Sequence, residues 1–239
     1  MDSINRQARS AGLLYLLCNL PAPFSLIYIP GVLIVPGDAT ATADHVRAHE
    51  ALLRMGIAGE AFNSIVIIFA VLAFYRLFKP VGDKLAAAML ALILVPVPIA
   101  LLNMVDSVAA STLARGATFL SAFDRGQLDG LTYLFLRLHN QGLQVASIFW
   151  GLWLLPLGIL VMRSRFIPGV LGICLLLAGS GYVMSSFTSL VLPHYAHLVS
   201  QFAMPLYFGE APFVLWLVIW GAKAPPSVAP GSQPVRSLT

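Results

Sequence analysis

The chain has 239 residues, of which 59% are hydrophobic and 10% are charged. Soluble domains carry about 25% charged residues, so this composition excludes an ordinary soluble protein and predicts an integral membrane protein whose main partner is the lipid bilayer. The formal net charge of +4 is small, and we interpret it through its distribution across the membrane rather than as a surface for nucleic acid.

Six apolar segments are each long enough to cross the bilayer, since a helix needs about 20 residues to span a hydrocarbon core of ~30 Å. The predicted spans cover about residues 10–35, 52–78, 84–110, 134–162, 166–192 and 200–222. The expected fold class is therefore all-α, a polytopic transmembrane helical bundle with six spans. Cys18 and Cys174 both fall within spans, so we expect no disulfide.

Two segments outside the spans carry predictions of their own. Residues 111–133 are too often interrupted by polar residues to cross the bilayer, and the stretch "ATFLSAFDRGQL" within them predicts a short amphipathic helix on the outer surface between the third and fourth spans. Residues 223–239 are rich in proline and serine and predict a disordered cytoplasmic tail. Residues 1–222 then form a single transmembrane helical domain.

The basic residues indicate how the spans are oriented. Of the fourteen lysines and arginines, nine fall on the side that holds both termini and five on the other side. Because cytoplasmic segments carry the excess of lysine and arginine, the sequence predicts that both termini are cytoplasmic. We expect a multi-pass protein of the cell membrane, in particular a bacterial inner membrane.

The fourth span begins with polar residues and ends with apolar ones, in "LRLHNQGLQVASIFWGLWLL". Arg137, Asn140, Gln141 and Gln144 recur at a spacing that places them on one helical face. Such a face is unfavourable against lipid, so we expect it to point into the bundle or into a water-filled space.

Two glutamates fall inside predicted spans. At about 1.5 Å per residue, Glu60 and Glu210 lie about 24 Å and about 20 Å from the inner boundaries of their helices, within the outer half of the hydrocarbon. A charge there costs roughly 2.5–3.5 kcal/mol, so each carboxyl is expected to be protonated, paired or hydrated; a purely structural hydrogen bond between helices is the alternative. The residues expected to bind a ligand in an outward-facing polar cavity are Arg54, Glu60, Asn63, Asn103, Asp106, Arg137, Asn140, Gln144 and Glu210.

Two proline pairs lie at a similar depth, "PAP" at residues 21–23 and "PVP" at residues 96–98. Proline removes a backbone donor and interrupts a helix. Interrupted spans often frame a binding site because the freed carbonyls can face a cavity. A simple packing kink is the alternative.

All five histidines fall on the outer side, and four of them form the pairs His45/His49 and His194/His197. These spacings could place two imidazoles on one metal ion, which makes the four residues weak metal candidates. The H-E-x-x-H arrangement of zinc peptidases is missing, and so are a nucleophile elbow, a Walker loop and a dinucleotide fingerprint. We therefore expect no catalytic residue, no metal and no cofactor.

Four segments have a recognisable order and spacing: "GDATATADHVRAHEALLRMGI" (37–57), "IFWGLWLLPLGILVMRSRFIPGVLG" (148–172), "AGSGYV" (178–183) and "EAPFVLWLVIWG" (210–221). In these segments, and over about residues 8–222, the chain resembles a family of multi-pass membrane proteins, domain-of-unknown-function family 4386. The resemblance implies a membrane-embedded helical protein without an established activity. It marks Asp38, Arg54, Arg163, Ser164, Pro168 and Glu210 as family-type positions and assigns them no role.

Three kinds of function are compatible with these observations. The first, which we favour, is a non-enzymatic protein that binds or transports a small polar or amphipathic molecule through an outward-facing cavity. The second is a membrane-embedded, metal-dependent enzyme that uses the outer histidines. The third is a scaffold or sensor subunit of a membrane complex, in which the polar face meets a partner helix.

Overall fold

The structure is a computed structural model that describes residues 2–222. The predicted disordered tail, residues 223–239, lies outside the described residues. Six helical segments are long and apolar enough to cross a membrane, as predicted: Ser3–Leu33, Glu50–Phe78, Asp83–Arg115, Arg125–Ser164, Gly169–Val191 and Pro193–Ile219. Residues 2–222 contain no strand, so the all-α class is confirmed.

Residues 2–222 form eleven α-helices, and ten of them build the six spans because four spans are divided. The helices are α1 (Asp2–Asn19), α2 (Ile29–Leu33), α3 (Ala39–Ala48), α4 (Glu50–Phe78), α5 (Asp83–Leu94), α6 (Pro96–Arg115), α7 (Arg125–Leu152), α8 (Leu154–Ser164), α9 (Gly169–Val191), α10 (Ala196–Tyr207) and α11 (Glu210–Ile219). A π-helical turn, Phe24–Tyr28, joins α1 to α2, and two 3-10 turns cover Thr118–Leu120 and Pro193–Tyr195.

Four of the six spans are interrupted. The first is broken between α1 and the π-helical turn and the third at Val95, next to the proline pairs that predicted these breaks. The fourth is broken at Trp153 and the sixth between α10 and α11, which we did not predict. Pro156 and Pro212 explain the last two, since each lacks the N–H that would bond a carbonyl four residues earlier, at Leu152 and Phe208.

The segment between the third and fourth spans is shorter than predicted. Helix α6 ends at Gly116, whose φ of 64° is in the left-handed region that favours glycine. Helix α7 already begins at Arg125, where Asp124 and Gln127 form a reciprocal capping box. The amphipathic helix expected over residues 117–128 is therefore reduced to the 3-10 turn Thr118–Leu120, because the last four residues of that stretch start the fourth span.

A surface helix lies instead between the first two spans. The Asp38 side chain caps α3 by accepting a hydrogen bond from the Ala41 amide. From α3, Arg47 donates to the carboxylate of Asp129 over 2.8 Å and to the carbonyl of Ala114 over 3.1 Å. The hydrogen bond that Arg47 donates to Asp44 lowers the pKa of that carboxyl. Arg47 thus joins α3 to α6 and α7.

Helices of the fourth and fifth spans touch through glycines. A Cβ atom added at Gly179 would lie 2.7 Å from the carbonyl oxygen of Gly151, and one added at Gly158 would lie 2.7 Å from that of Gly172. Contacts this short leave no room for a methyl group. Small residues allow such close backbone approach in membrane proteins, and Gly179 of the "AGSGYV" stretch is one of them.

The two ends of the described chain meet at one end of the bundle. Arg9 donates to the carbonyl of Ile219 over 3.0 Å, and the amide of Ala222 donates to the Asn5 side chain over 3.3 Å. An even number of spans requires this arrangement. Helix α3 lies at the opposite end, because the first span separates it from the start of the chain.

Candidate functional site

A cavity of about 180 Å³ lies where the interrupted spans meet. Each of the four breaks contributes a residue at or next to it to the cavity lining: Pro21, Pro96, Trp153 and Glu210. Helices that are broken at the same level cannot all pack closely there. The local departures from helical geometry therefore place the cavity in the middle of the bundle.

The cavity combines an apolar wall with a few polar groups. Two carboxyl side chains, Glu60 and Glu210, line it together with Ser25 and Asn63. Asn63 donates a hydrogen bond of 2.6 Å to the carbonyl of Cys18, which the break after α1 leaves without its helical partner. Among the residues that the structure describes, no lysine, arginine or histidine is part of this lining.

Glu210 lies at the start of α11 and accepts a hydrogen bond from the hydroxyl of Tyr15. The Tyr15 ring is held by edge-on contacts with Phe74 and Trp153, with ring centroids 5.6 Å and 5.5 Å apart. Tyr182 also interacts with Glu210 from the fifth span. The carboxyl group is thus positioned by aromatic side chains from other spans.

Glu60 is paired with His139. The Oε1 atom of Glu60 lies 3.1 Å from Nε2 of His139. On the other side of the ring, Nδ1 lies 3.1 Å from the carbonyl oxygen of Asn103 and 3.2 Å from the hydroxyl of Ser107. The Asn103 amide in turn donates to the carbonyl of His139 over 2.7 Å.

This arrangement accepts the imidazole in either protonation state. When Nδ1 carries a proton, it can donate to the carbonyl of Asn103; when it does not, it can accept a hydrogen bond from Ser107. In both states Nε2–H faces the carboxylate of Glu60. A proton can therefore leave or enter without breaking the contact between the two helices.

Two buried polar atoms at the cavity have no hydrogen-bond partner within the described part of the chain. They are the second carboxyl oxygen of Glu60, Oε2, and the hydroxyl oxygen of Ser25. Buried polar atoms are nearly always paired, so such exceptions point to water, an ion or a ligand. Both residues also line a smaller cavity of about 30 Å³, which extends along Leu53 and Asn140. Ser25 and Glu60 therefore stand at the junction of the two cavities.

Part of the expected site is assembled and part is not. Glu60, Asn63 and Glu210 share the main cavity, and Asn140 lines the smaller one. Asn103 contributes indirectly by holding His139. The other expected residues lie outside both linings: Arg54, Asp106, Arg137 and Gln144.

Arg54 and Glu210 have separate partners in the structure. Arg54 is exposed and pairs with Glu50, one helical turn away, over 2.8 Å. A guanidinium at the membrane surface gains more from a neighbouring carboxylate on the same helix than from reaching into the bundle. Glu210 instead accepts a hydrogen bond from the hydroxyl of Tyr15.

The polar face predicted for the fourth span is rotated relative to the bundle. Arg137 and Gln141 are exposed, whereas Leu136 and His139 are buried. The rotation follows from packing, because α7 approaches α6 at Gly142, where an added Cβ would collide with the Asn103 side chain. The residues facing inward are thus one position away from those that the polar pattern indicated.

Sequence reasoning missed several residues of the site: Tyr15, Ser25, His139 and Tyr182. For His139 a signal existed, since an imidazole beside Leu136 and Leu143 at helical spacing is unusual in a span. For the two tyrosines there was none. A tyrosine in an apolar segment usually reads as an interface residue.

The outer histidine pairs do not assemble a metal centre in the described residues. His45 and His49 are exposed, with ring centroids 6.3 Å apart, and Nδ1 of each faces a backbone carbonyl. His194 and His197 are exposed at the start of the sixth span. Within residues 2–222 no group of three or more histidine, cysteine, aspartate or glutamate side chains is placed to hold a metal ion.

The six spans define a multi-pass helical membrane protein with a cavity at its interrupted helices. The chain belongs to the family described as domain of unknown function (DUF4386), whose model matches residues 10–221. It is also 35% identical over 81 residues to an uncharacterized protein of Archaeoglobus fulgidus. That alignment covers 34% of this chain and 47% of the relative, so the chain spans about half the length of the curated relative that it matches. No solved structure matches the chain.

Proposed function

We propose that this protein binds a small polar or amphipathic molecule in the central cavity and passes it across the cell membrane. The observation that carries the proposal is the pair of unpartnered buried atoms, Glu60 Oε2 and Ser25 Oγ, at a cavity formed by interrupted spans. A protein that used its glutamates only to hold helices together would satisfy both oxygens of each carboxyl.

The size of the cavity limits the ligand. An apolar protein cavity of about 150 Å³ accommodates benzene. The volume of about 180 Å³ found here is slightly larger, which suits a ligand with a ring-sized body and one polar group. Both the apolar wall and the few polar atoms are features of small-molecule sites.

The basic residues support an orientation with both termini in the cytoplasm, because the end of the bundle that holds the chain ends carries the excess of lysine and arginine. The α3 end then faces outward. The smaller cavity, lined by Leu33, Leu53 and Asn140, extends from Ser25 toward that end. The ligand would enter along this route.

Cysteine accessibility tests the proposal. In a Cys18→Ala/Cys174→Ala background, we expect the thiol of Ser25→Cys to react with a membrane-impermeant reagent added outside intact cells. The matched control is Ile27→Cys, which lies in the same π-helical turn with its side chain 71% exposed on the bundle surface. A thiol that faces lipid stays protonated and unreactive.

Denatured protein should react at both positions, which shows that the reagent and both thiols are competent. If Ser25→Cys stays unlabelled in folded protein from either side of the membrane, the cavity is sealed and the proposed function is wrong. Labelling at both positions equally would also count against it, since the cavity would then be no more accessible than the lipid face.

A further inference from the structure

We infer that the ligand of the central cavity is a small organic cation, an ammonium group attached to an apolar body. This inference rests on the proposed function and narrows it to one ligand class. Three features of the cavity support it: the charges at the cavity, the two unpartnered atoms and the aromatic wall.

The ionisable groups that line the cavity are acidic. Glu60 and Glu210 contribute carboxyl groups, and no basic side chain faces them from the described lining. His139 touches Glu60 from outside the lining, on the Oε1 side. The Oε2 atom of Glu60, which lines the cavity, is buried and has no hydrogen-bond partner among the described residues. An anionic ligand would meet carboxyl groups without a counter-charge, which the low dielectric of the bundle penalises.

The unpartnered atoms select a hydrogen-bond donor. Carboxylate oxygen accepts hydrogen bonds, and the Ser25 hydroxyl oxygen accepts as well. An ammonium group carries donors and no acceptor, so it matches Glu60 Oε2 and Ser25 Oγ together. Ser25 is 8% exposed, lies on the π-helical turn and lines the cavity, and its hydroxyl oxygen is buried.

Aromatic side chains surround the same space. Tyr15, Trp150, Trp153 and Tyr182 all line the cavity. Cations are attracted to the faces of such rings, most strongly to tryptophan, when they lie within about 6 Å. The apolar body would lie against aliphatic residues of the wall such as Ile67 and Leu143.

Three small molecules of similar shape test whether the cavity prefers a positively charged ligand. Benzylammonium, benzyl alcohol and benzoate differ mainly in the polar group on a ring that fits the cavity. We expect benzylammonium to bind the purified full chain in detergent about tenfold more tightly than benzyl alcohol, because a charge-assisted hydrogen bond is stronger than a neutral one. Benzoate should not bind. Isothermal titration calorimetry and ligand-induced thermal stabilisation measure both effects.

Two variants locate the site. Glu60→Gln should remove the preference for the cation over the alcohol. Because that change also alters the contact with His139, Ser25→Ala provides a second variant, which should weaken benzylammonium binding about threefold through one lost hydrogen bond. Ser180→Ala, a serine outside the cavity lining on α9, is the control and should leave binding unchanged.

Equal affinity for the cation and the alcohol, tighter binding of benzoate, or no binding of benzylammonium would overturn the inference. The proposed function is decided separately by the labelling of Ser25→Cys, so its failure can be told apart from a failure of the inference about the cation. Nanodiscs with and without phosphatidylethanolamine separate the sources of an ammonium group. If that lipid competes with benzylammonium, the ligand is a lipid headgroup. If benzylammonium binds equally well in both kinds of nanodisc, the ligand is a free amine. Both outcomes support a cationic ligand.

Discussion

At the scale of single residues, Glu60 and His139 face each other inside the bundle, with 3.1 Å between Oε1 and Nε2. A carboxylate among apolar helices requires such a partner, because removing one member of a buried ion pair leaves an uncompensated charge. The pair also tolerates gain or loss of a proton at Nδ1, through Asn103 and Ser107.

His139→Leu should therefore destabilise the protein by about 3–5 kcal/mol, since it leaves the carboxylate of Glu60 buried and unpaired. Unfolding in mixed detergent micelles measures the loss. In the double variant Glu60→Gln/His139→Leu the charge is gone, and at least half of the stability should return. A double variant as unstable as the single one would show that packing of the ring, not its pairing, matters.

At the scale of elements, α8 and the end of α7 touch α9 through backbone atoms at glycines. Gly179→Ala should cost about 1–3 kcal/mol, because its Cβ would lie 2.7 Å from the carbonyl of Gly151 and the helices must separate. Gly169→Ala on the same helix is the control, since an added Cβ there meets nothing within 4 Å. If the thermal unfolding temperature falls equally in both variants, the close contact at Gly179 is contradicted.

The surface helix α3 depends on Arg47. Asp129 is 2% exposed and receives a hydrogen bond from this guanidinium. Arg47→Ala should cost about 3–5 kcal/mol, because it leaves a buried carboxylate without its partner, and should expose α3 to proteolysis.

Arg125→Ala is the matched control for that change. The Arg125 side chain is 70% exposed and lies 3.3 Å from Asp44, so its removal should cost no more than about 1 kcal/mol. If Arg47→Ala leaves the rate of cleavage in α3 unchanged, the helix is held by its apolar face alone.

At the scale of the whole molecule, six spans place Thr40 and the chain ends at opposite ends of the bundle. The excess of basic residues predicts that the chain ends are cytoplasmic. An alkaline phosphatase reporter fused after Thr40 should be active, and the same reporter fused after Pro230 should be inactive. Equal activities of the two fusions would contradict the threading. Activity only in the fusion after Pro230 would show that the orientation is the reverse of the predicted one, with the same fold.

Much of the fold could be predicted because the relevant signals are local. A run of apolar residues determines that a segment crosses the bilayer, whatever its neighbours are, and the breaks next to Pro21 and Pro96 follow from the missing backbone donors. The breaks at Trp153 and before Glu210 were missed, although Pro156 and Pro212 carry the same signal. The helix expected over residues 117–128 is reduced to a 3-10 turn, because the capping box at Asp124 starts α7 within the last third of that stretch.

By itself the sequence determined the class of protein, the six spans, and the position of Glu60 and Glu210 within spans. Only the tertiary structure decided the partners of those carboxyls: His139 for Glu60 and Tyr15 for Glu210. The physical reason is rotation, since neighbouring positions on a helix point about 100° apart. A small turn of α7, set by the contact between Gly142 and Asn103, directs His139 inward and Arg137 outward, and no pattern within one span contains that information.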